Sequence, residues 1–460
     1  MHIGGVRTAL FAYLYAKKMG GEFILRIEDT DKAREIEGSK DQIARSLRWL
    51  GIEWEYGPDK PHPEWGSALQ SERLDIYKQY AQKLIDKGLA YADPYTAEEL
   101  QAFREQAEAE KRPFLYRNHR PETFETWDGS KPLRLKTPEI KRYTWTDAVR
   151  GELSAGEEAL DDFILIKADG YPTYNFAHIV DDAEMRVTHV MRGEEFVSST
   201  PKFLSLYDAL DLPWPTFVTL PPIMGPDGKK KLSKRDGAKD LLEYDTEGYL
   251  PAALRNFLAL IGWNPGTEQE LFNTEEELTQ VFTLEKIQKS GGAFNEEKLQ
   301  WMNKEHLQKL PQTEQVDYVT STLPERNPET LTKLAPSILE RIHNKTEILE
   351  ADQAGEYDWA FAGISYEIEQ LKWKQDDTVA DAKPRLERVI DLLLEADFAT
   401  PETIKSALWD FTGEVGRGQV LWPLRVALTG RDRSPDPFTC AHILGKEETL
   451  LRISAAIEKL

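Results

Sequence analysis

Apolar residues recur at helical spacing from Gly5 to Lys17, where Val6, Leu10, Tyr13 and Leu14 share one side. A period of two follows, with Phe23, Leu25 and Ile27 alternating with Glu22, Ile24 and Arg26, and predicts a strand over 22–27. Helical spacing returns at Leu74, Tyr77, Ala81 and Leu84, so strands and helices alternate as in a nucleotide-binding α/β unit. From about Leu89 to Gly170 the pattern breaks: a charged helix over 96–112 precedes a stretch rich in proline, arginine and tryptophan, which reads as an insertion. The α/β pattern resumes with the apolar run 186–191, a helix opening at Thr200-Pro201 and a strand over 216–220.

Beyond Lys239 the spacing is helical: Leu254, Phe257, Leu258 and Ile261, then Leu331, Leu334, Ile338 and Ile342, then Leu386, Val389, Ile390, Leu393 and Leu394. Short punctuators such as Pro435-Asp436-Pro437 separate these helices and predict one or two helical bundles. A chain of 460 residues exceeds one core, so about three to five domains are expected. No apolar run approaches the roughly 20 residues of a membrane span and no secretory segment opens the chain, which predicts a soluble cytoplasmic protein without a membrane partner. Cys440 is the only cysteine, excluding an internal disulfide and any multi-cysteine zinc site. The net charge is -22, from 80 acidic and 58 basic residues. That balance disfavours indiscriminate polyanion binding, so a nucleic-acid partner would have to dock on local basic patches.

Two segments carry candidate phosphate chemistry. Met1-His2-Ile3-Gly4-Gly5 heads the first helix, where free N–H groups and the dipole favour anions. Alone, a glycine pair before a helix reads more readily as a plain turn. Lys229-Lys230-Lys231-Leu232-Ser233-Lys234-Arg235 follows Gly225-Pro226-Asp227-Gly228 and can close ammonium groups over a triphosphate; a solvated basic loop is the bland alternative. Glu28, in Glu28-Asp29-Thr30-Asp31, falls where the predicted strand ends and suits a substrate ammonium, although a helix cap or surface ion pair would use the same residues. Tyr174 can shape a pocket and Arg192 can fork onto a carboxylate; core packing and a salt bridge to Asp181 or Glu195 are the respective alternatives.

In this order the motifs resemble the glutamyl-tRNA synthetases among the class I aminoacyl-tRNA synthetases, and the resemblance runs nearly end to end. The segments 69–77, 294–303 and 423–430 match further family landmarks in the right order. The resemblance implies an α/β plus all-α architecture: a Rossmann-type nucleotide-binding domain split by an α/β insertion, followed by helical stem-contact and anticodon-binding domains. Residues 1–88 would be the first half of the catalytic domain, 89–170 the inserted module that holds the acceptor end, and 171–224 the second half. Residues 225–305 would be the stem-contact domain with its lysine loop, and 306–460 the anticodon-binding region.

The resemblance also implies the reaction, ATP-dependent activation of L-glutamate to its adenylate and transfer to the terminal ribose of tRNA(Glu). His2 and Lys234 take the catalytic roles on phosphate, with Gly4, Gly5 and Lys231 completing the ATP site. Glu28, Tyr174, His178, Arg192 and Glu195 line the glutamate and adenylate pocket, supported by Asp29 and Asp31; position 178 varies among the family. Mg²⁺ is expected to travel with ATP, without a protein metal site. No structural zinc is expected, since Tyr91-Ala92-Asp93-Pro94-Tyr95 brings no thiols to the region where some relatives bind it. A monomer is expected. Trp409, Arg417, Trp422, Arg425, Arg431 and Arg433 are candidates for reading unstacked bases, with core packing the alternative for each tryptophan.

The chain departs from the family at its start, where a strand and a proline-containing turn normally precede the His-Ile-Gly segment. The expectation is a misplaced start or truncated gene model; taken as it stands, the chain would leave a sheet edge or central gap unpaired and should be unstable or inactive. Three other readings stand beside the synthetase. A glutaminyl-tRNA synthetase would end in β-barrels, a glutamyl transferase acting on a tRNA base would lack the C-terminal extension, and an RNA-binding paralogue would have lost catalysis.

Overall fold

The computed structural model describes residues 1–31, 38–233 and 239–460 and resolves two compact units, Met1–Asp245 with Pro251–Leu299 and Thr246–Leu250 with Gln300–Leu460. In the first unit α1 (Ile3–Met19) buries Ile3, Val6, Leu10, Phe11 and Leu14 on one face. The helix exceeds the predicted 5–17 at both ends, because the His2 side chain caps its start and Gly20, at φ 66°, closes its end by donating to Ala16 O and Lys17 O.

The predicted strand over 22–27 is not continuous. Single parallel bridges join Ile24 to Tyr56 and Ile27 to Leu69, with Leu25 N donating to Tyr56 O and Ile27 N to Ala68 O, each at 3.0 Å. The two partner segments lie on either side of 57–67, and each is too short to extend a ladder. Helices α2 (Ser39–Trp49) and α3 (Leu74–Asp86) follow, the latter burying Tyr77, Tyr80, Ala81 and Leu84 at the spacing read from sequence.

The inserted stretch begins with β1 (Ala90–Ala92) and α4 (Ala97–Ala109), which opens on a capping box between Thr96 and Glu99. It continues through β2 (Leu133–Leu135), the hairpin of β3 (Tyr143–Asp147) and β4 (Gly151–Ala155), and β5 (Ile164–Ile166). Strands β1, β2 and β5 form one antiparallel sheet. The hairpin joins a different sheet with β6 (His189–Gly193) and β7 (Thr216–Leu220), in the order β4-β3-β7-β6 with β7 parallel to both neighbours. The insertion therefore shares its core with the flanking α/β pattern: Leu133, Leu135 and Trp145 pack in one cluster with Tyr77, Phe176, Phe203 and Phe217. Strand β6 ends this sheet, and a cavity of about 530 Å³ lies among Met191, His189, α1 and Phe23-Ile24.

Helices α5 (Tyr174–Glu184) and α6 (Thr200–Ala209) pack on each other and bring Phe176 and Phe203 into the cluster that holds Phe217 of β7. After β8 (Ile223–Met224), α7 (Leu241–Thr246), α8 (Pro251–Leu260) and α9 (Glu275–Val281), the short β9 (Gly292–Ala293) pairs parallel with β8. Helix α10 (Glu296–Lys309) leads into α11 (Gln312–Thr322), α12 (Pro328–Leu339), α13 (Lys345–Gln353), α14 (Lys383–Leu394), α15 (Pro401–Val415), α16 (Arg417–Thr429) and α17 (Pro437–Lys459), which kinks at Gly445. The second unit is thus helical, with Leu334, Ile338, Leu386, Val389, Leu424 and Ile453 in one core. There the buried Arg452 donates to Trp359 O, Leu428 O and Ala362 O, satisfying carbonyls where three segments meet. Among the described residues no helix is long and apolar enough to cross a membrane.

One buried carboxylate ties the hairpin to the parallel sheet. Asp147 accepts from Val149 N, Arg150 N and Thr219 N, each at 2.9 Å, and from Thr219 Oγ1 at 2.6 Å. Asp147→Ala strands these donors and should destabilise the protein by about 3 kcal/mol in urea unfolding, given the cost of buried unsatisfied groups. A loss below about 1 kcal/mol would mean that water replaces the carboxylate at no net cost.

Candidate active site

The start of α1 forms one wall of a cavity of about 280 Å³ whose lining includes Gly4, Gly5, Arg7, Thr8, Arg192, Gly193, Glu195 and Lys231. His2 stands at the helix cap, where Nδ1 accepts from Gly4 N at 3.1 Å. An accepting Nδ1 leaves the hydrogen of the neutral ring on Nε2, the tautomer that can donate to phosphate. Strand β6 brings Arg192 and Gly193 to the cavity, and a Cβ at Gly193 would run into the Glu195 carboxylate. The Gly225–Gly228 turn closes with Gly228 N donating to Gly225 O at 2.9 Å and carries Lys231 to the rim. Lys231 Nζ lies 3.5 Å from Glu195 Oε2 on a solvated edge. Leu232 N donates to Ile223 O, and beyond the loop Asp240 bridges back to His2. Lys234 lies outside the described residues.

Arg7 was not singled out from sequence, yet it too lines this cavity. Its guanidinium donates to Ile261 O at 3.1 Å and to Pro221 O, and burial lowers its pKa to about 10. It holds α1 against two loops while adding positive charge that carbonyls, not a carboxylate, hold in place. An arginine among Val6, Leu10 and Phe11 on a helix that is otherwise apolar at those positions is the signal that could have found it.

A second cluster surrounds Arg26. Arg26 Nη1 donates to Asp182 Oδ1 at 2.7 Å and Nη2 to Glu28 Oε1 at 3.2 Å. Burial opposes that charge, but Asp182, Glu28 and Asp181 outweigh it and hold the guanidinium pKa up. Tyr174 opens α5 and keeps 37% of its surface exposed, so it is not simply a core residue. Its ring lies 4.8 Å from that of His178, which packs 4.6 Å from Phe203 on its other side. Burial, outweighing the pull of Asp182, depresses the His178 pKa and keeps the imidazole neutral. Its Nδ1 faces Asp182 Oδ2 at 3.4 Å, while Nε2 is buried without a hydrogen-bond partner.

Arg192 stacks over Phe196 and Phe203, each 5.3 Å away, and its buried Nη1 has no hydrogen-bond partner. Among the described residues it makes neither of the salt bridges that were the bland alternative: Glu195 faces Lys231, and Asp181 accepts from Arg73 Nε at 2.8 Å, Gln70 Nε2 at 2.9 Å and Tyr77 OH at 2.8 Å. Gly4, Gly5, Arg192, Glu195 and Lys231 therefore share one cavity. Glu28, Tyr174 and His178 gather around Arg26 and Asp182, and the Arg192 charge bears on both Tyr174 and His178. Asp29 accepts from Ser71 N at 2.8 Å, Ser71 Oγ at 2.6 Å and Lys40 Nζ at 2.9 Å, anchoring the loop after Glu28.

In the helical unit the basic candidates divide. Trp422 donates its indole N–H to Gln370 O at 2.9 Å and packs with the core, so its role there is structural. Trp409 is partly exposed and stacks with Arg417, whose Cζ lies 4.4 Å from the ring. Arg431 and Arg433 line a cavity of about 480 Å³ with Arg341, Tyr357 and Trp359. Arg425 reaches Asp432 O at 3.5 Å and does not line it.

A largely parallel sheet, a glycine-fronted helix over a cavity and a separate helical unit are the makings of a class I tRNA synthetase. The family of tRNA synthetases class I (E and Q), catalytic domain, matches residues 1–301, and the anticodon binding domain family matches residues 294–457. The glutamate–tRNA ligase of Clostridium kluyveri is 39% identical, with 100% of this chain and 96% of that protein covered. That of Clostridium botulinum is 40% identical over the same shares. Among solved structures, a glutamate tRNA ligase from Elizabethkingia meningosepticum in complex with its amino acid aligns with a TM-score of 0.86 at 34% identity, covering 100% of this chain and 97% of that one. The glutamate–tRNA synthetase of Elizabethkingia anophelis aligns at 0.83 and 33%, over the same shares. The chain belongs to the glutamate–tRNA ligases.

The Asp29 anchor has a pH signature. Burial raises its pKa, but the hydrogen bonds from Ser71 and Lys40 outweigh that and leave it below the usual carboxylate value. A depressed folded-state pKa stabilises above the unfolded value of about 3.9 and loses that stabilisation as pH falls through the folded value. The stability advantage of the wild type over Asp29→Asn in urea should therefore be constant near neutral pH and shrink below about pH 4. An advantage that holds unchanged into that acid range would overturn the assignment.

Proposed function

We propose that the chain attaches L-glutamate to the terminal ribose of tRNA(Glu) in two steps. The glutamate α-carboxylate attacks the α-phosphorus of ATP, forming a mixed anhydride and releasing pyrophosphate. A ribose hydroxyl then attacks the activated carbonyl, forming the ester and releasing AMP. Neither step needs a protein nucleophile, so catalysis rests on alignment and on charge placed where the transition state develops it. Mg²⁺ enters with ATP and neutralises phosphate charge when bound.

The observation that carries this reading is the convergence of the Gly4-Gly5 helix start, Arg192 and Lys231 on one cavity. Gly4 and Gly5 leave the backbone open to phosphates. His2 donates to a phosphate oxygen through the ring nitrogen that its capping role leaves protonated. Lys231 and Lys234 supply ammonium groups that stabilise the charge of the departing pyrophosphate. Glu28 takes the substrate ammonium, Arg192 takes a carboxylate with its buried Nη1, and Tyr174 and neutral His178 shape the pocket between them. Glu195 positions Lys231 at the rim. In the helical unit Arg341, Arg431 and Arg433 line a cavity with Glu347 and Glu356, and its guanidinium groups suit an unstacked anticodon nucleotide.

The test is ATP-dependent glutamylation of tRNA(Glu). Lys234→Ala should lower kcat about 100-fold, the scale of a lost electrostatic transition-state contact, with tRNA binding intact. Arg192→Ala should raise the glutamate KM by about 100-fold, as expected for a charge-assisted pair. A wild-type chain that binds tRNA yet forms neither adenylate nor ester would replace this reading with a non-catalytic RNA-binding role.

A further inference from the structure

Asp182 sits where two chains of contacts meet. Its Oδ1 accepts from Arg26 Nη1 at 2.7 Å, and the other arm of that guanidinium reaches Glu28 at 3.2 Å. Its Oδ2 faces His178 Nδ1 at 3.4 Å, and the imidazole lies 4.8 Å from the Tyr174 ring. Asp182 is buried, and Tyr207 of α6 bears on it as well. The neighbouring Asp181 comes within 3.9 Å of Arg26 Nε, but the hydrogen bonds its oxygens accept come from Arg73, Gln70 and Tyr77, so it ties α5 to α3 and the loop before it. Two adjacent carboxylates on one helix thus serve different ends. One joins secondary structures, and the other joins two side chains that surround the amino-acid pocket.

We propose that Asp182 is a positioning residue for amino-acid binding, fixing Glu28 through Arg26 and Tyr174 through His178 so that the two sides of the pocket keep one spacing. The proposal rests on the reading of Glu28 and Tyr174 as amino-acid contacts. Asp182 itself need not touch substrate. As a carboxylate it accepts from both partners at once, which leaves the neutral imidazole with its hydrogen on Nδ1. Asparagine has nearly the same shape but offers one acceptor and one donor. With its oxygen on Arg26, its N–H₂ confronts the Nδ1 hydrogen, so the imidazole must change tautomer or turn away, and the guanidinium loses one of its three counter-charges, keeping Glu28 and Asp181. The charged and titratable groups around this carboxylate are Arg26 and Glu28 from the 22–28 segment, His178 and Tyr174 from α5, Arg192 from β6 and Tyr207 from α6.

The experiment measures KM for glutamate and for ATP in tRNA glutamylation for Glu28→Gln, Asp182→Asn and the double variant, with His178→Leu alongside. Asp182→Asn should raise the glutamate KM about tenfold and leave the ATP KM within about twofold, the loss expected when a contact is misplaced rather than removed. Because Glu28 lies downstream of Asp182, the double variant should fall short of the product of the two single effects. His178→Leu severs the tyrosine branch and should raise the glutamate KM less, in the same direction; an unchanged KM there overturns the proposal even if Asp182→Asn does not fold. An unchanged glutamate KM in Asp182→Asn or His178→Leu, while Glu28→Gln raises it, overturns the proposal and leaves the amino-acid site standing. So does an equal rise in both KM values, which is the mark of general destabilisation. An inert Glu28→Gln removes the amino-acid assignment and this proposal together.

Discussion

The buried carboxylates of Asp181 and Asp182 on α5 organise the catalytic unit, because charges so deep are tolerated only with partners close at hand. Each recruits its own: Arg73, Gln70 and Tyr77 for Asp181, Arg26 and His178 for Asp182. Burial raises the Asp182 pKa, but Arg26 and His178 more than reverse that and hold the carboxyl far below its usual range. Asp182 therefore stays ionised, and the segments that supply partners to both carboxylates must stay in place. Those segments are the 22–28 stretch, the turn before α3, and α3 itself. Lacking a continuous ladder of its own, the 22–28 stretch depends on this ionic clasp as much as on its two bridges.

The same logic explains how an acidic chain can accept a polyanion. Many of its arginines are committed to carboxylates: Arg73 to Asp181, Arg134 to Asp93, Arg120 to Asp162 and Arg385 to Asp376. Arg7 and Arg192 differ. The first is held by carbonyls and the second stacks on aromatic rings with one nitrogen unused. Both line the cavity at the start of α1, so positive potential survives there while the bulk of the surface remains repulsive to nonspecific nucleic acid.

Elements defined by local periodicity were legible in the sequence. The apolar stripe of α1, the spacing of Tyr77, Ala81 and Leu84, and the strand Thr216–Leu220 all follow from side chains read a few positions apart. The helical character of the second unit follows in the same way. What was illegible depends on distant partners. The alternation over 22–27 is real, with Phe23 and Ile27 buried, but the strand is broken because its partners are discontinuous, a property of 55–70 rather than of 22–27. The insertion looked like a separate module because its composition changes, yet Trp145 packs with Phe203 and Phe217, contacts that no local window contains.

The candidate site divides along the same line. Motif residues such as Gly4, Gly5, Arg192 and Lys231 announce themselves by type and spacing, and they meet in space. Arg26 and Asp182 do not, since 156 positions separate them and no local window pairs an arginine in a strand-like run with an aspartate after Ile179-Val180. Burial changes what these residues do: a surface pair contributes little, whereas a carboxylate closed off from water dictates the tautomer and placement of every group around it. The chemistry of the pocket is written in residues that could touch substrate, but its geometry is set by those one contact behind them. A single sequence exposes the first kind and hides the second until the fold supplies their partners.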